Sequence, residues 1–349
     1  MIKITYGMNV INCDDIITHQ LASIYKHADE IIIIEGAYEK FKYSAPNATS
    51  TDLTVNKIIN FPDPEKKIKL RTHNVFFEDR AQMCSEIITH TTGDVLFQID
   101  VDEFYHDETH TFVRDKFNRD HELDEISFMF IDFFFDQSLY ILGTEQKGLN
   151  NVRRVFRLKD ANKFHNQRPP VLEGPNGIIL PRKVLDGKEL RNLGHCMYHA
   201  TIISMRQIKE KTDYYAKMWG INNTKHDTFS YNGIDLLNVH GIPRYFTPVC
   251  LCEVDIPKSM KPVFNSVDAK LKTDLFNIID SPEYILALQQ AIKIIGTDKK
   301  NYFLFALFNF CKLYDFPKLR LKQFITVQIF CILRVLRTNI LRILFSNRK

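Results

Sequence analysis

The first hundred residues alternate between short apolar runs and segments whose apolar positions recur at helical spacing. Residues 3–11 read as a strand that ends at Asn12-Cys13-Asp14-Asp15. Asp14 or Asp15 is placed to cap a following helix with Ile16, Ile17, Leu21, Ile24 and Tyr25 on its apolar face. Glu30 to Ala37 holds four successive isoleucines, the pattern of a strand covered on both faces. Residues 44–54 are polar and turn-rich, a loop leading into a short helix that Pro62 and Pro64 close after Asn60. Ile68 to Val75 is a third strand, and Glu78 to His90 a helix carrying Arg80. Val95-Leu96-Phe97-Gln98-Ile99 is a fourth strand, introduced by Gly93-Asp94 and running into Asp100-Val101-Asp102-Glu103-Phe104. Strand and helix in alternation imply right-handed crossovers, hence an α/β fold with a mostly parallel sheet flanked by helices.

Beyond this point the pattern predicts a helix over 107–119 and an aromatic-rich strand over 125–135. Another strand is expected over 151–158, a Pro- and Gly-rich loop over 164–177 and a short strand over 195–200. A helix over 204–220 carries Lys209, Lys211, Tyr214, Tyr215 and Trp219; a further helix is expected over 282–295. The organisation expected is a catalytic domain over 1–220, an accessory region over 221–300 and a helical tail over 301–349.

Composition narrows the class. The chain has 349 residues, 45% hydrophobic and 25% charged, enough for a sizeable folded core. Its seven cysteines are scattered without a C-x-x-C pair, which favours reduced thiols and a cytoplasmic location. The N-terminus does not read as a signal peptide, because its apolar run is short and interrupted. The net charge of +4 is small but uneven: Lys318 to Lys349 contains eight Lys or Arg and no acid. That segment mixes its arginines with Ile, Leu, Val and Phe. It reads as a basic amphipathic helix lying on the inner face of a membrane, with no apolar run long enough to span one. Nucleic acid is a poor match for so apolar a basic stretch.

The acidic turn after the fourth strand is the main chemical signal. In open α/β sheets ligands bind outside the carboxyl ends of the strands. Asp100 and Asp102 are two apart, so on an extended backbone their side chains lean the same way. Paired hard oxygens suit Mg²⁺ or Mn²⁺, which takes further ligands from water and phosphate. An Asp-x-Asp occurs about once by chance in a chain of this length. The apolar strand before this one, the third acid Glu103 and the aromatics Phe104 and Tyr105 distinguish it.

Taken in order, these residues resemble the GT-A glycosyltransferases of the family 2 type, over roughly residues 3–215. The resemblance implies a nucleoside-diphosphate sugar donor, UDP-linked, and a divalent metal, Mn²⁺ or Mg²⁺, on Asp100 and Asp102 that bridges the donor's diphosphate. It places Asn12 to Asp15 beside the nucleotide, and Glu35 after the second strand in contact with it. Arg80 falls near the base or phosphates, and Asp100 is also at the donor. In Cys196's neighbourhood, His195 is the candidate to complete the metal or phosphate site, with His199 the alternative. For the general base of an inverting transfer, Glu173 follows an Arg154-Val155-Phe156-Arg157 strand as the family's His-Glu pair does; Asp132 and Asp136 are the other carboxylates. The acceptor implied is a glycan or lipid-linked sugar of surface polysaccharide or glycoconjugate synthesis. Two rival readings stand beside this: a non-catalytic membrane-tethered scaffold on the same fold, and an Asp-x-Asp phosphatase or phosphotransferase. The second fits less well, since Phe104 stands where that chemistry wants threonine.

Overall fold

The sheet is built outward from Ile4–Val10 (β1), whose side chains are buried on both faces. The computed structural model describes residues 1–42, 45–134, 136–142, 151–167, 169–203, 230–231, 234–235 and 255–267. Glu30–Glu35 (β2) lies parallel to β1 on one side, with Ile68–Thr72 (β3) parallel beyond it. Val95–Gln98 (β4) lies parallel to β1 on the other side. In the order β3-β2-β1-β4 the chain switches sides between β1 and β4, the kind of point at whose carboxyl ends ligands bind in open α/β sheets. The helices Ile17–Ile24 (α1), Thr54–Ile59 (α2) and Arg80–His90 (α3) make the connections. The four isoleucines of β2 are all fully buried, as a doubly covered strand requires.

Past β4 the sheet becomes mixed. Glu103–Phe104 (β5) is a two-residue strand, and Asp107–Arg119 (α4) spans the bounds its pattern predicts. Glu125–Phe134 (β6), Asp136–Leu142 (β7) and Asn151–Arg157 (β8) follow, with β8 antiparallel between β4 and β6. The loop expected over 164–177 instead contains a hairpin, Lys163–Gln167 (β9) and Pro170–Glu173 (β10). Pro170 is tolerated because it is the first residue of its strand, where one missing N–H costs the ladder little. After it come Val184–Leu185 (β11), Gly187–Asn192 (α5) and Met197–Ile202 (β12), which runs parallel to β6 and antiparallel to β5. The weak signals of β5, β11 and α5 come from their shortness, which leaves no periodic pattern.

The expected Asp14 or Asp15 cap does not form. Ile16 stands at the N-cap of α1 with no side-chain cap, and the N–H groups of Ile16 and Ile17 bond to the Cys13 carbonyl instead. The Asp14 N–H is turned away, onto Asp52. By contrast α3 is capped, with Asp79 accepting from the Gln82 N–H at 2.8 Å.

A short helix, Lys261–Asn265, lies in the stretch expected to be accessory. Ile256, Met260, Val263 and Phe264 pack in the same apolar core as Ile4, Phe97 and Phe128. Among the described residues Cys13, Cys84 and Cys196 are buried and unbridged. No helix among them is long and apolar enough to cross a membrane. The helices expected over 204–220 and 282–295 and the tail over 301–349 lie outside the described residues.

Candidate active site

The acidic turn follows β4 at the carboxyl end of the β1/β4 pair. β4 ends at Gln98, and the Ile99 N–H still bonds to the Gly7 carbonyl of β1, at 2.9 Å. The backbone then turns: the Glu103 N–H donates to the Asp100 carbonyl at 3.1 Å, and the Asp100 N–H donates to Glu103 Oε2 at 3.2 Å. Gln20, buried on α1, donates from Nε2 to the carbonyls of both Asp100 and Glu103. The turn is thus held from its own side chain and from a neighbouring helix.

Three long-range partners define its electrostatics. Val155 pairs with Phe97, so Arg154 on β8 stands beside the end of β4. Arg154 Nε donates to Glu103 Oε2 at 2.8 Å, and Nη2 donates to Glu103 Oε1 and, at 2.8 Å, to Asp100 Oδ2. Arg80, the first residue of α3, places Nη2 3.1 Å from each carboxylate oxygen of Asp100. Burial alone would raise the Asp100 pKa, but the guanidinium groups of Arg154 and Arg80 outweigh it and hold Asp100 at about 2. Burial pushes Glu103 above the usual carboxylate range, against the pull of Arg154. Arg154 is itself held above its ordinary value: burial opposes its charge, and Glu103 and Asp100 more than restore it.

The histidine beside Asp102 is His199. Antiparallel pairing of β12 with β5 sets His199 opposite Glu103, and the Ala200 N–H donates to the Asp102 carbonyl at 2.7 Å. His199 Nε2 then lies 3.2 Å from Asp102 Oδ2. His195 is elsewhere: its Nδ1 meets Thr109 Oγ1 of α4 at 3.1 Å, and its ring packs on Phe112. It precedes β12, so the pairing that brings His199 to the turn does not reach it. Among the described residues, no three His, Cys, Asp or Glu side chains converge as a ready-made metal cage. Asp102 and His199 offer one oxygen and one nitrogen donor at one spot.

A second cluster lies at the ends of β1 and β2. Asn12 has φ 45°, a left-handed conformation that asparagine tolerates. Its Oδ1 accepts from the Thr51 N–H at 2.8 Å, and its N–H donates to Ser50 Oγ at 3.1 Å. Glu35 is fully buried; Oε1 accepts from the Ser50 N–H at 2.6 Å, and Oε2 has no hydrogen-bond partner among the described residues. Lys57 Nζ donates to the Asp14 carbonyl at 2.5 Å. Asn12, Asp14 and Glu35 thus join in fastening residues 50–57 over the strand ends.

The two expected base candidates fall in different places. Glu173 is at the end of the β9–β10 hairpin, paired with Lys163 Nζ and His165 Nδ1, each at 2.9 Å. Those two hydrogen bonds hold its pKa below the usual carboxylate value. The other end of β9, Gln167, touches Gln98 and so approaches the turn. At about 3.3 Å per residue, Glu173 is some ~13 Å away along the hairpin. Asp132 lies on β6 in register with His199, at the site's edge. Asp136 begins β7, paired with Phe134.

Sequence reasoning passed over Arg154 and Gln20. A signal for Arg154 exists: it adjoins Val155 and Phe156 in a buried run, and a charge there demands a partner. Gln20 carries no comparable signal.

No protein-family model matches the chain, and no curated protein does. Among solved structures it is similar to glucosyl-3-phosphoglycerate synthase from Mycobacterium tuberculosis, seen with Mn²⁺, UDP and phosphoglyceric acid. It is similar also to that protein with Mn²⁺, UDP-glucose and phosphoglyceric acid, and with Mg²⁺ and UDP. Each match has 14% identity, a TM-score of 0.29 and covers 37% of this chain. The matches span 43–44% of those chains, less than half their length.

Proposed function

We propose that this chain is a metal-dependent glycosyltransferase of the GT-A type that moves a sugar from a nucleoside diphosphate, UDP in our reading, to an acceptor hydroxyl. The observation that carries the proposal is the Asp102–His199 pair beside Asp100, at the strand ends where the sheet order reverses. The donor set fits Mn²⁺ or Mg²⁺ as a partly protein-held ion. One carboxylate oxygen and one imidazole nitrogen leave the other positions to water and diphosphate, and the imidazole favours Mn²⁺. When bound, the ion supplies Lewis-acid neutralisation of the leaving diphosphate.

The protein groups divide the remaining work. Asp102 and His199 would hold the ion. Arg154 and Gln20 fix the turn that presents Asp102, and Arg80 faces the diphosphate. Asn12, Asp14 and Glu35 shape the wall that meets the nucleoside, through the loop they fasten. The acceptor oxygen attacks the anomeric carbon, the bond to the diphosphate breaks, and a carboxylate takes the hydroxyl proton. We assign that role to Asp132, whose backbone borders His199, ahead of Glu173, which is spent on Lys163 and His165. We read the transfer as inverting, and the acceptor as a glycan or lipid-linked sugar presented at a membrane that the basic segment 301–349 touches.

Thermal melting with UDP-, GDP-, CDP- and dTDP-sugars, with and without Mn²⁺, tests the reading. Ligand at a hundred times its Kd stabilises the folded state by about 2.7 kcal/mol. One nucleotide class is expected to raise the melting temperature only with Mn²⁺, and Asp102→Asn to abolish that rise. If no nucleotide stabilises the protein under any condition, the donor site does not exist as described.

A further inference from the structure

The two guanidinium groups on Asp100 are held very differently. Arg154 has its side chain 8% exposed, lies on an interior strand and is committed to Glu103 through two nitrogens. Arg80 is 28% exposed; it touches Asp100 through one nitrogen shared between both oxygens and also hydrogen-bonds the side chain of Cys84. That arrangement is looser than the parallel two-nitrogen fork that makes arginine–carboxylate pairs strong.

The placement of Arg80 is informative. It occupies the first position of an eleven-residue helix, where the positive end of the helix dipole repels a cation. Asp79 already caps that end, so Arg80 is not needed to satisfy the helix. An arginine in this position points to an anion in front of the helix.

The local charge balance then depends on what enters. Asp100, Asp102 and Glu103 bring three carboxylates, Arg80 and Arg154 bring two guanidinium groups, and His199 is a third basic group, set against Asp102. A divalent cation arriving alone beside Asp102 adds positive charge next to Asp100, which already holds both arginines. One arriving with a diphosphate brings the negative charge that Arg80 can take up.

We infer that Arg80 is an exchangeable counter-ion, covering Asp100 in the free protein and passing to the diphosphate when cation and nucleotide enter together. This rests on the glycosyltransferase reading and adds to it a coupling device. Arg80 disfavours the cation alone and favours the pair, so each of the two raises the other's affinity by the same factor.

The test measures Mn²⁺ binding through loss of the free-ion electron paramagnetic resonance signal, with and without UDP. It uses the full chain, Arg80→Met and Arg80→Lys. Arg80→Met is expected to bind Mn²⁺ alone about fivefold more tightly and to lose about tenfold of the enhancement by UDP, on the scale of ordinary site–site coupling. Arg80→Lys, which keeps the charge, is expected to retain most of that enhancement. Far-ultraviolet circular dichroism checks that each variant is folded. If Arg80→Met binds Mn²⁺ alone no more tightly, or keeps the full UDP enhancement, the exchange is wrong while the donor site stands. If the unmodified chain binds no Mn²⁺ even with UDP, the donor site and the exchange both fall.

Discussion

At the residue scale the centre of the molecule is one buried ion pair. Arg154 and Glu103 are 51 residues apart in sequence, and both are almost fully enclosed. Such a pair is weak evidence for stability, since desolvating two charges offsets most of their attraction. Removing one partner is different, because the other is left charged and buried. Arg154→Met is expected to cost roughly 3–5 kcal/mol in denaturant unfolding. The double change Arg154→Met with Glu103→Leu should recover part of that loss, because neither charge then remains buried. A single variant as stable as the unmodified protein would mean that Glu103 finds another partner. Asp100, Asp102 and Glu103 were legible as an acidic cluster because they follow directly on an apolar strand. Their partners were not, because a side-chain pair across strands leaves no mark in either local sequence.

At the element scale, strand register decides which histidine meets Asp102. From the sequence His195 is the candidate and His199 the alternative. Pairing of β12 with β5 brings one to Asp102 and leaves the other on α4. α4 itself carries a buried histidine that no pattern marked as unusual. His110 joins Tyr6 of β1 through Nδ1 at 2.7 Å, and its ring stacks on His27, which pairs with Asp107 at 2.8 Å. Burial holds the His110 pKa well below its ordinary value, and nearby His27 and Lys26 lower it further against the pull of Asp107. In the unfolded chain the same imidazole takes up a proton below about pH 6.5. Acid therefore favours unfolding, and stability falls as pH drops below that value. His110→Gln keeps a hydrogen-bond partner for Tyr6 but cannot titrate. Its melting temperature is expected to fall less between pH 7 and pH 5 than that of the unmodified protein, by up to about 1.4 kcal/mol per pH unit in stability. Equal acid sensitivity in the two proteins would assign the proton uptake to other groups, His27 first among them.

At the scale of the whole molecule, the stretch 255–267 joins the main core rather than forming a separate unit. Phe264 is buried with its ring 5.6 Å from Phe133 of β6, the strand that also pairs with β12. Phe264→Ala should cost about 3–5 kcal/mol, the usual range for a buried aromatic truncated to alanine. In calorimetry the main melting transition is expected to shift as a whole. A new, separate low-temperature transition would show instead that 255–267 unfolds independently of the sheet.

The sequence by itself determined the alternation of strand and helix, the α/β class and the location of the acidic turn. These depend on local periodicity, on turn residues and on the burial demanded by runs such as Ile31 to Ile34. The β9–β10 hairpin, the uncapped start of α1 and the two-residue β5 were decided by tertiary pairing, which overrode local preference. So were the partners of the turn. Arg80, Arg154 and His199 meet Asp100, Asp102 and Glu103 because strand order and register set which distant segments lie side by side. Interactions of that kind are energies between segments, and no single segment encodes them.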